Sequence, residues 1–149
     1  MNHILIATDG SPSAQEAVDV GLELAKEQGA NVTFLHVLPP DEFRTTRLAS
    51  PAIPHHVDID ASETALEEAA GNADAMDVAY ALERISGDTV ETIIRLAEAR
   101  GADLIVLGSR GRGAVASALL GSVSNGVLRE ADRPVLIVRS AKVTAETSV

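Results

Sequence analysis

Glycines dominate one short segment of the sequence, in a pattern that suits a phosphate-binding loop. Gly108, Gly111 and Gly113 follow an apolar run, and nine residues separate Gly111 from Gly121-Ser122. Glycine lets main-chain N–H groups approach an anion closely, and a helix that begins here directs its positive end to the same place. The hydroxyl and amide of Ser122 add a second contact. This spacing predicts a site for a ligand that carries several phosphate groups.

Two arginines, Arg110 and Arg112, lie within this segment of an otherwise acidic chain. The sequence has 12 Lys and Arg against 22 Asp and Glu, a formal net charge of −10. Such a surface repels nucleic-acid phosphates and anionic membranes, so we expect neither as a partner. Arg110 and then Arg112 are candidates for phosphate contact, and the alternative is that both are solvated loop residues.

The commoner glycine signatures are excluded by their missing residues. A Walker A loop requires Lys and Ser or Thr after its last glycine, where this sequence has Ala114 and Val115. The first apolar run is followed by Asp9-Gly10-Ser11, which lacks the three glycines of a dinucleotide-binding turn. Neither a P-loop NTPase nor an NAD or FAD site of that type is therefore expected.

The elements around this segment indicate an α/β fold. Four runs rich in Ile, Val and Leu do not alternate with polar residues, as is typical of strands buried on both faces of a parallel sheet. Together with a weaker run they cover residues 3–8, 31–38, 77–85, 102–107 and 134–138. Helical patterns lie between these runs, which predicts a doubly wound parallel sheet with helices on both faces.

Capping signals predict where the helices begin and end. A polar residue followed three positions later by Glu occurs at three places, namely Ser13 with Glu16, Asp60 with Glu63, and Asp88 with Glu91. Gly29 and Gly101 are placed to stop the first and third of these helices. The second is expected over about 61–70, and a further helix over about 114–130 ends before Pro134.

Residues 39–60 interrupt this alternation. They contain four prolines and little periodicity, which predicts a long loop. A lid or partner surface, a disordered excursion and a misread element are the alternatives for it. We expect residues 1–149 to form one domain and residues 141–149 to be a flexible tail.

Composition limits the cellular setting. The sequence has no cysteine, which agrees with a reducing cytoplasm, and it lacks the basic start of a signal peptide. No apolar stretch reaches the roughly 20 residues of a membrane helix. We therefore expect a cytoplasmic protein without membrane insertion. Dispersed acids with only two lysines also resemble halophilic proteins, although an ordinary acidic protein has the same composition.

The pattern G-x-x-G-x9-G-[S/T], at Gly108, Gly111, Gly121 and Ser122, resembles the nucleotide-binding signature of the universal stress protein family. The likeness extends along the chain through the blocks ILIATDGSPSA, FLHVL, ADLIVLGSRGRG, LLGSVSNGVL and RPVLIV. It implies a member of the ATP-binding branch, with a five-stranded sheet in the order 3-2-1-4-5. In that order the first and fourth strands are neighbours, and open α/β sheets bind ligands where the winding direction changes between such strands.

The resemblance also implies which residues bind ATP. Adenine and ribose would lie at Ala7, Asp9, Val37, Leu107 and Gly108, and the phosphates, with any Mg²⁺ or Mn²⁺ bound through them, at Arg110, Gly111, Gly113, Gly121, Ser122, Val123 and Ser124. The family often has Pro at position 7 and Thr at position 124. Neither difference removes a hydrogen-bonding group that the site depends on. For Asp9, capping of the first helix is the alternative interpretation.

The function that the resemblance implies is regulatory. A cytoplasmic homodimer in stress response, whose nucleotide biases its association with a second copy or an unknown protein partner, is the leading interpretation. The alternative is a slow ATPase or ATP-dependent transferase. Asp9 and Arg110 are the only nearby candidates for that chemistry, and since no triad, carboxylate pair or metal motif accompanies them, we assign no catalytic residue. A phosphoacceptor receiver domain is discounted because Asp9 has no acidic neighbour, and the only lysines are Lys26 in the first helix and Lys142 in the tail.

Two further expectations concern dimerisation and metal binding. The last strand is apolar at Val135, Leu136, Ile137 and Val138, and as an edge strand it would pair with a second copy. The histidines do not form a recognisable metal motif. His36 is expected in the core, and the pair His55-His56 has no third ligand at a suitable spacing.

Overall fold

In the computed structural model, residues 1–38, 40, 54–110 and 120–140 are described. Five strands are present: β1 His3–Ala7, β2 Asn31–Leu38, β3 Tyr80–Ser86, β4 Leu104–Gly108 and β5 Val135–Val138. The helices are α1 Pro12–Gln28, α2 Pro54–Ala75, α3 Thr89–Arg100 and α4 Ser122–Glu130. Gly111, Arg112, Gly113 and residues 141–149 lie outside the described residues.

The strands form one parallel sheet in the order β3-β2-β1-β4-β5. β1 lies in the centre, where Ile4 pairs with Val32 of β2 and with Leu104 of β4. Both the parallel α/β fold and the strand order that we expected are therefore confirmed. The chain winds outward in both directions from β1 and β4, so the topological switch point lies between their carboxyl ends.

Two apolar clusters hold the helices against the two faces of the sheet. Successive side chains of β1 point to opposite faces, so that Ile4 and Ile6 belong to one cluster and Leu5 to the other. The first cluster takes in α1 and α2, for example through Leu22. The second takes in α3 and α4, for example through Ile93. A central strand that is fully buried on both faces accounts for the unbroken apolar run in the sequence.

The observed helix ends correct the predicted cap of α1 and confirm that of α3. Ser11, not Ser13, is the N-cap of α1: its Oγ accepts a hydrogen bond from the amide of Ala14 at 3.3 Å, and Pro12 opens the helix. Proline suits this position because the first helical amide has no acceptor within the helix. The predictions for α3 are confirmed, since Asp88 accepts from the Glu91 amide at 3.0 Å and the helix stops at Gly101.

Helix α2 is longer than predicted. It begins at Pro54, so residues 54–60, which we assigned to the loop, are helical, and Asp60 lies inside the helix rather than at its cap. Of the predicted loop, only Pro40 and residues 54–60 are among the described residues. No helix in the described part of the chain is long and apolar enough to span a membrane.

One carboxylate joins the amino-terminal ends of β1 and β4. Asp103, just before β4, accepts hydrogen bonds from the amides of Asn2 at 2.7 Å and His3 at 3.0 Å. Its own amide donates to the carbonyl of His3 at 2.8 Å. The bonds from the Asn2 and His3 amides hold the pKa of the Asp103 carboxyl below its ordinary value of 3.8. The charged form therefore stabilises the junction of β1 with β4.

We expect Asp103→Asn to lower the melting temperature at pH 7. A carboxyl whose pKa is depressed by folding contributes stability above its unfolded pKa and loses it as the pH falls through the folded value. The difference between wild type and variant should therefore be complete at pH 7 and shrink below pH 3.8. Thermal melts across this range test it. Asp19→Asn, at an exposed position of α1, is the control for the charge change, and an equal loss in both variants at pH 7 would contradict the expectation.

Candidate nucleotide site at the switch point

The turn between β1 and α1 is fixed by its own side chains. Asp9 Oδ1 accepts from the amide of Ser11 at 2.9 Å, and Thr8 Oγ1 accepts from the amide of Gly10 at 3.2 Å. Gly10 adopts a φ of 81°, which side chains rarely tolerate. Asp9 is therefore not the cap of α1 that its alternative interpretation proposed, because Ser11 is the N-cap. The Asp9 carboxylate instead accepts from the amide of that N-cap residue and is held at the switch point.

His36 ties the same turn to β2. It is buried, and its Nδ1 donates to the carbonyl of Thr8 at 2.9 Å, because a carbonyl oxygen only accepts. The amide of Thr8 donates to the carbonyl of Leu35 at 2.9 Å. The expectation that His36 is a hydrogen-bonded core histidine is confirmed.

Four buried serines, Ser11, Ser13, Ser109 and Ser124, join the two strand ends, and we call them the serine cluster. Ser13 Oγ lies 3.4 Å from Ser109 Oγ. Ser124 Oγ donates to the carbonyl of Ser109 at 2.9 Å. The cluster therefore connects the first turn of α1 to the turn after β4 and to the first turn of α4.

Ser109 is the residue through which most of these connections pass. Its carbonyl accepts from the amide of Gly121 at 2.7 Å as well as from Ser124 Oγ, so both lone pairs are used. Its amide donates to the carbonyl of Val138 at 2.8 Å. One residue therefore holds the start of α4 and the end of β5 in place.

Close packing at Gly108 brings α1 to this point. A Cβ at position 108 would lie 2.6 Å from Ser13 Oγ, 2.7 Å from the carbonyl carbon of Ser13 and 2.8 Å from the amide nitrogen of Ala14. Two of these three atoms belong to the main chain and cannot rotate away. Gly108 is therefore required for the approach of the α1 main chain to the end of β4.

The start of α4 presents amides without a side-chain cap. Gly121 is the N-cap, with φ −74° and ψ 169°, and in the described structure no side chain caps this end. The first amides of a helix have no acceptor within the helix, and they favour anions. Ser122 is exposed, Val123 is half-buried and Ser124 is buried. A cavity of about 470 Å³ extends along α4 and is lined by Ser122, Asn125, Leu128 and Arg129.

An apolar wall lies beside these polar groups. Ala7 and Val37, at the ends of β1 and β2, pack on the apolar cluster shared with α3 and α4, and Leu107 belongs to that cluster. Leu107 is 3% exposed, whereas Ala7 and Val37 are partly exposed. This surface suits the flat apolar face of a nucleobase.

The described structure thus brings most of the predicted site residues together at the carboxyl ends of the strands. Those placed there are Ala7, Asp9, Val37, Leu107, Gly108, Arg110, Gly121, Ser122, Val123 and Ser124. Gly111 and Gly113 lie outside the described residues. Sequence reasoning missed Ser13 and Ser109 as parts of the site. The signal that could have identified them is the occurrence of small polar residues beside glycines at the ends of two predicted strands.

The strand order and the site define the class of protein: a Rossmann-like α/β fold whose candidate site lies at its topological switch point. The sequence model of the universal stress protein family matches residues 1–139. The chain belongs to that family, and the resemblance seen in the sequence is confirmed.

Relatives match over nearly their whole length. Universal stress protein YxiE of Bacillus subtilis (strain 168) is 35% identical over 150 residues, which cover 93% of this chain and 99% of that protein. The solved structure of hypothetical protein MJ0577 superposes with a TM-score of 0.79 at 25% identity, covering 93% of this chain and 95% of its own. A universal stress protein solved in complex with cAMP has a TM-score of 0.69 at 27% identity, with coverage of 94% and 98%.

We expect Gly108→Ala to lower the free energy of unfolding by about 1–3 kcal/mol, because α1 must move away from β4 to admit the methyl group. Gly71→Ala is the matched control, since a Cβ at position 71 in α2 meets no atom within 4 Å. It should raise the free energy of unfolding by about 0.5–1 kcal/mol. Urea denaturation measures both. A Gly108→Ala protein as stable as wild type would show that the close approach is not a constraint.

Proposed function

We propose that this protein binds ATP at the switch point and acts as a nucleotide-dependent regulatory protein in the cytoplasm. The observation that carries the proposal is the uncapped first turn of α4, which Ser109 holds beside the β1–α1 turn. A helix end in this position is a general anion site, and the switch point is where open α/β sheets bind ligands. The related structure in complex with cAMP supports a nucleotide as the ligand.

The two sides of the crevice differ in chemistry, and this favours one orientation of the nucleotide. The apolar wall of Ala7, Val37 and Leu107 suits the base, with Asp9 beside it as an acceptor for polar groups. The α4 amides and Arg110 suit the phosphates. A divalent cation would be held through those phosphates, because among the described residues no group of three His, Asp or Glu side chains is arranged to bind one.

Binding rather than turnover is the activity proposed. Hydrolysis requires a base or an oriented water next to the terminal phosphate. The carboxylate of Asp9 accepts from the main chain of its own turn, which gives it a role in shaping the site. Regulation would then follow from a difference in nucleotide affinity between two states of the protein.

A pair of substitutions at Ser122 separates the contribution of its main-chain amide to phosphate binding from that of its hydroxyl. Ser122 is the first residue of α4, where proline is tolerated, and the extended ψ of 169° at Gly121 is compatible with a following proline. Ser122→Pro therefore removes the amide hydrogen and leaves the helix intact, whereas Ser122→Ala removes the hydroxyl alone.

We expect Ser122→Pro to bind Mg-ATP about 10- to 100-fold more weakly than Ser122→Ala, because a hydrogen bond to a charged group contributes about 1.5–3 kcal/mol. Isothermal titration calorimetry with ATP measures the difference. Adenosine, which has no phosphate, should bind equally to both variants. Equal ATP affinities of the two variants would place the phosphates away from this helix end.

We also propose that the protein is a homodimer through β5. Val135, Leu136 and Ile137 are half-buried in the described chain, and β5 carries no charge at this edge of the sheet. The opposite edge, β3, includes Glu83 and Arg84, and charged residues on an edge strand oppose pairing. The apolar edge is therefore the better surface for a second copy.

Substitution at Ile137 tests this interface. The amide of Ile105 donates to the carbonyl of Pro134, and that of Ser109 donates to the carbonyl of Val138, so residues 134, 136 and 138 face β4. The amide of Ile137 therefore points outward. We expect Ile137→Pro to be monomeric in sedimentation velocity, because it removes an outward donor, while Ile137→Ala keeps that donor and remains dimeric. A folded, dimeric Ile137→Pro protein would refute pairing through this edge.

A further inference from the structure

The main chain of Arg110 is held on both sides by the first turn of α1. Its amide donates to Ser13 Oγ at 3.4 Å, and its carbonyl accepts from Ser11 Oγ at 3.5 Å. Because both polar groups of one peptide residue are engaged by a neighbouring helix, the direction in which its side chain leaves the loop is restricted. We infer that Ser13 is a positioning residue that orients Arg110 toward the phosphates of the bound nucleotide. The inference rests on the proposed function.

Ser13 is itself a fixed anchor. It is 6% exposed, and its Oγ contacts the carbonyl of Val138 at 3.4 Å and Ser109 Oγ at 3.4 Å. A hydroxyl has one hydrogen to donate and two lone pairs. The hydrogen goes to Val138, and the lone pairs accept from Ser109 and from the Arg110 amide. With every hydrogen-bonding position used, rotation of this hydroxyl breaks a buried contact.

Arg110 has no protein partner for its charge within the described residues. Arg84, Arg95, Arg100 and Arg133 each pair with a carboxylate, whereas Arg110, Arg129 and Arg139 form no ion pair with a described carboxylate. Of these three, Arg129 and Arg139 are exposed, and only Arg110 is half-exposed and follows β4 at the switch point. In a chain with a net charge of −10, a half-exposed arginine without such a pair is placed for an anion from outside. A guanidinium group suits phosphate oxygens because its N–H groups form a planar fork.

The consequence is a preference for nucleotides with more phosphates. A flexible arginine loses rotamer freedom when it binds, and a fixed main chain reduces the number of orientations that must be lost. The serines therefore strengthen the contact with phosphate and leave binding of the base and ribose unchanged. Both hydrogen bonds to Arg110 are long, so the expected effect of Ser13 is a few-fold rather than a hundredfold.

A double-mutant cycle with Ser13→Ala and Arg110→Gln tests this inference, with Mg-ATP and adenosine as ligands in calorimetry. We expect Arg110→Gln to weaken ATP binding about tenfold and Ser13→Ala about three- to fivefold. In the Arg110→Gln background, Ser13→Ala should have no further effect, because the side chain that it orients is gone. Adenosine affinity should not change in any variant.

Ser62→Ala is the matched control. Ser62 is a serine of α2 that is 1% exposed and whose hydroxyl has no hydrogen-bond partner in the described structure. Its replacement removes a buried hydroxyl that makes no hydrogen bond to the serine cluster, and ATP affinity should stay at the wild-type value. Thermal melts of all variants confirm folding. If Ser13→Ala does not fold, Ser11→Gly replaces it in the cycle, because glycine still serves as an N-cap.

The possible outcomes separate the inference from the proposed function. Independent, multiplicative losses from Ser13→Ala and Arg110→Gln would give Ser13 a structural role only and would overturn the inference. Unchanged ATP affinity in Arg110→Gln would overturn it too, with nucleotide binding intact. A wild-type protein that binds neither ATP nor adenosine would refute the proposed function itself.

Discussion

The close approach of α1 to the end of β4 is the contact on which the rest of this structure depends. It requires a glycine at position 108, because any side chain there would overlap the main chain of Ser13 and Ala14. Once the two are in contact, Ser13 can reach Ser109, and Ser109 can hold both the start of α4 and the end of β5. The geometry of the site therefore begins with a packing requirement rather than with a ligand.

The two faces of the sheet contribute differently to the proposed site. On one face, α1 and α2 cover β1 and β2 with a cluster that includes Phe34, which is fully buried. On the other face, α3 and α4 cover Leu5, Leu35 and Ile105. At the carboxyl ends of the strands, this cluster forms the apolar wall of the proposed site. α1 supports the site from the opposite face through its first turn, and so both layers of the fold meet at the switch point.

Strongly patterned parts of the fold could be predicted from the sequence, and locally ambiguous parts could not. Central strands could be predicted because an unbroken apolar run as short as residues 3–8 fits a strand buried on both faces, whereas a buried helix is usually longer. The strand order came from the family resemblance, since apolar runs do not state which strands are neighbours. Asp88 was correctly predicted as a cap because Glu91 follows it at capping-box spacing, whereas the neighbouring Ser86 and Thr89 have no Glu or Gln three positions later.

The start of α1 shows why other features were missed. Ser11 and Ser13 are both capping residues by type, and the Glu at position 16 favoured the wrong one. The choice depends on contacts distant in sequence: Gly108 lets Ser13 approach the end of β4, where its hydroxyl bonds to Ser109 and Val138. Pro54 was similarly ambiguous, since proline occurs both in loops and at the first position of a helix. The serine cluster was invisible for the same reason: its contacts join residues about 100 positions apart.

To bind a polyanion, an acidic chain must concentrate favourable potential locally, and the groups that the proposed site offers for this are mainly neutral. Main-chain amides and a helix end attract phosphate without changing the net charge of −10. Exposed ion pairs such as Arg95 with Glu91 contribute little and are screened by salt. Acids that lie beyond a Debye length of about 8 Å are largely screened at physiological ionic strength, so the potential at the proposed site is set by the nearby groups, which are the amides, Arg110 and Asp9. Because amides do not titrate and are fixed by the fold, such a site is compatible with almost any surface charge, provided that the serines and Gly108 keep the two strand ends together.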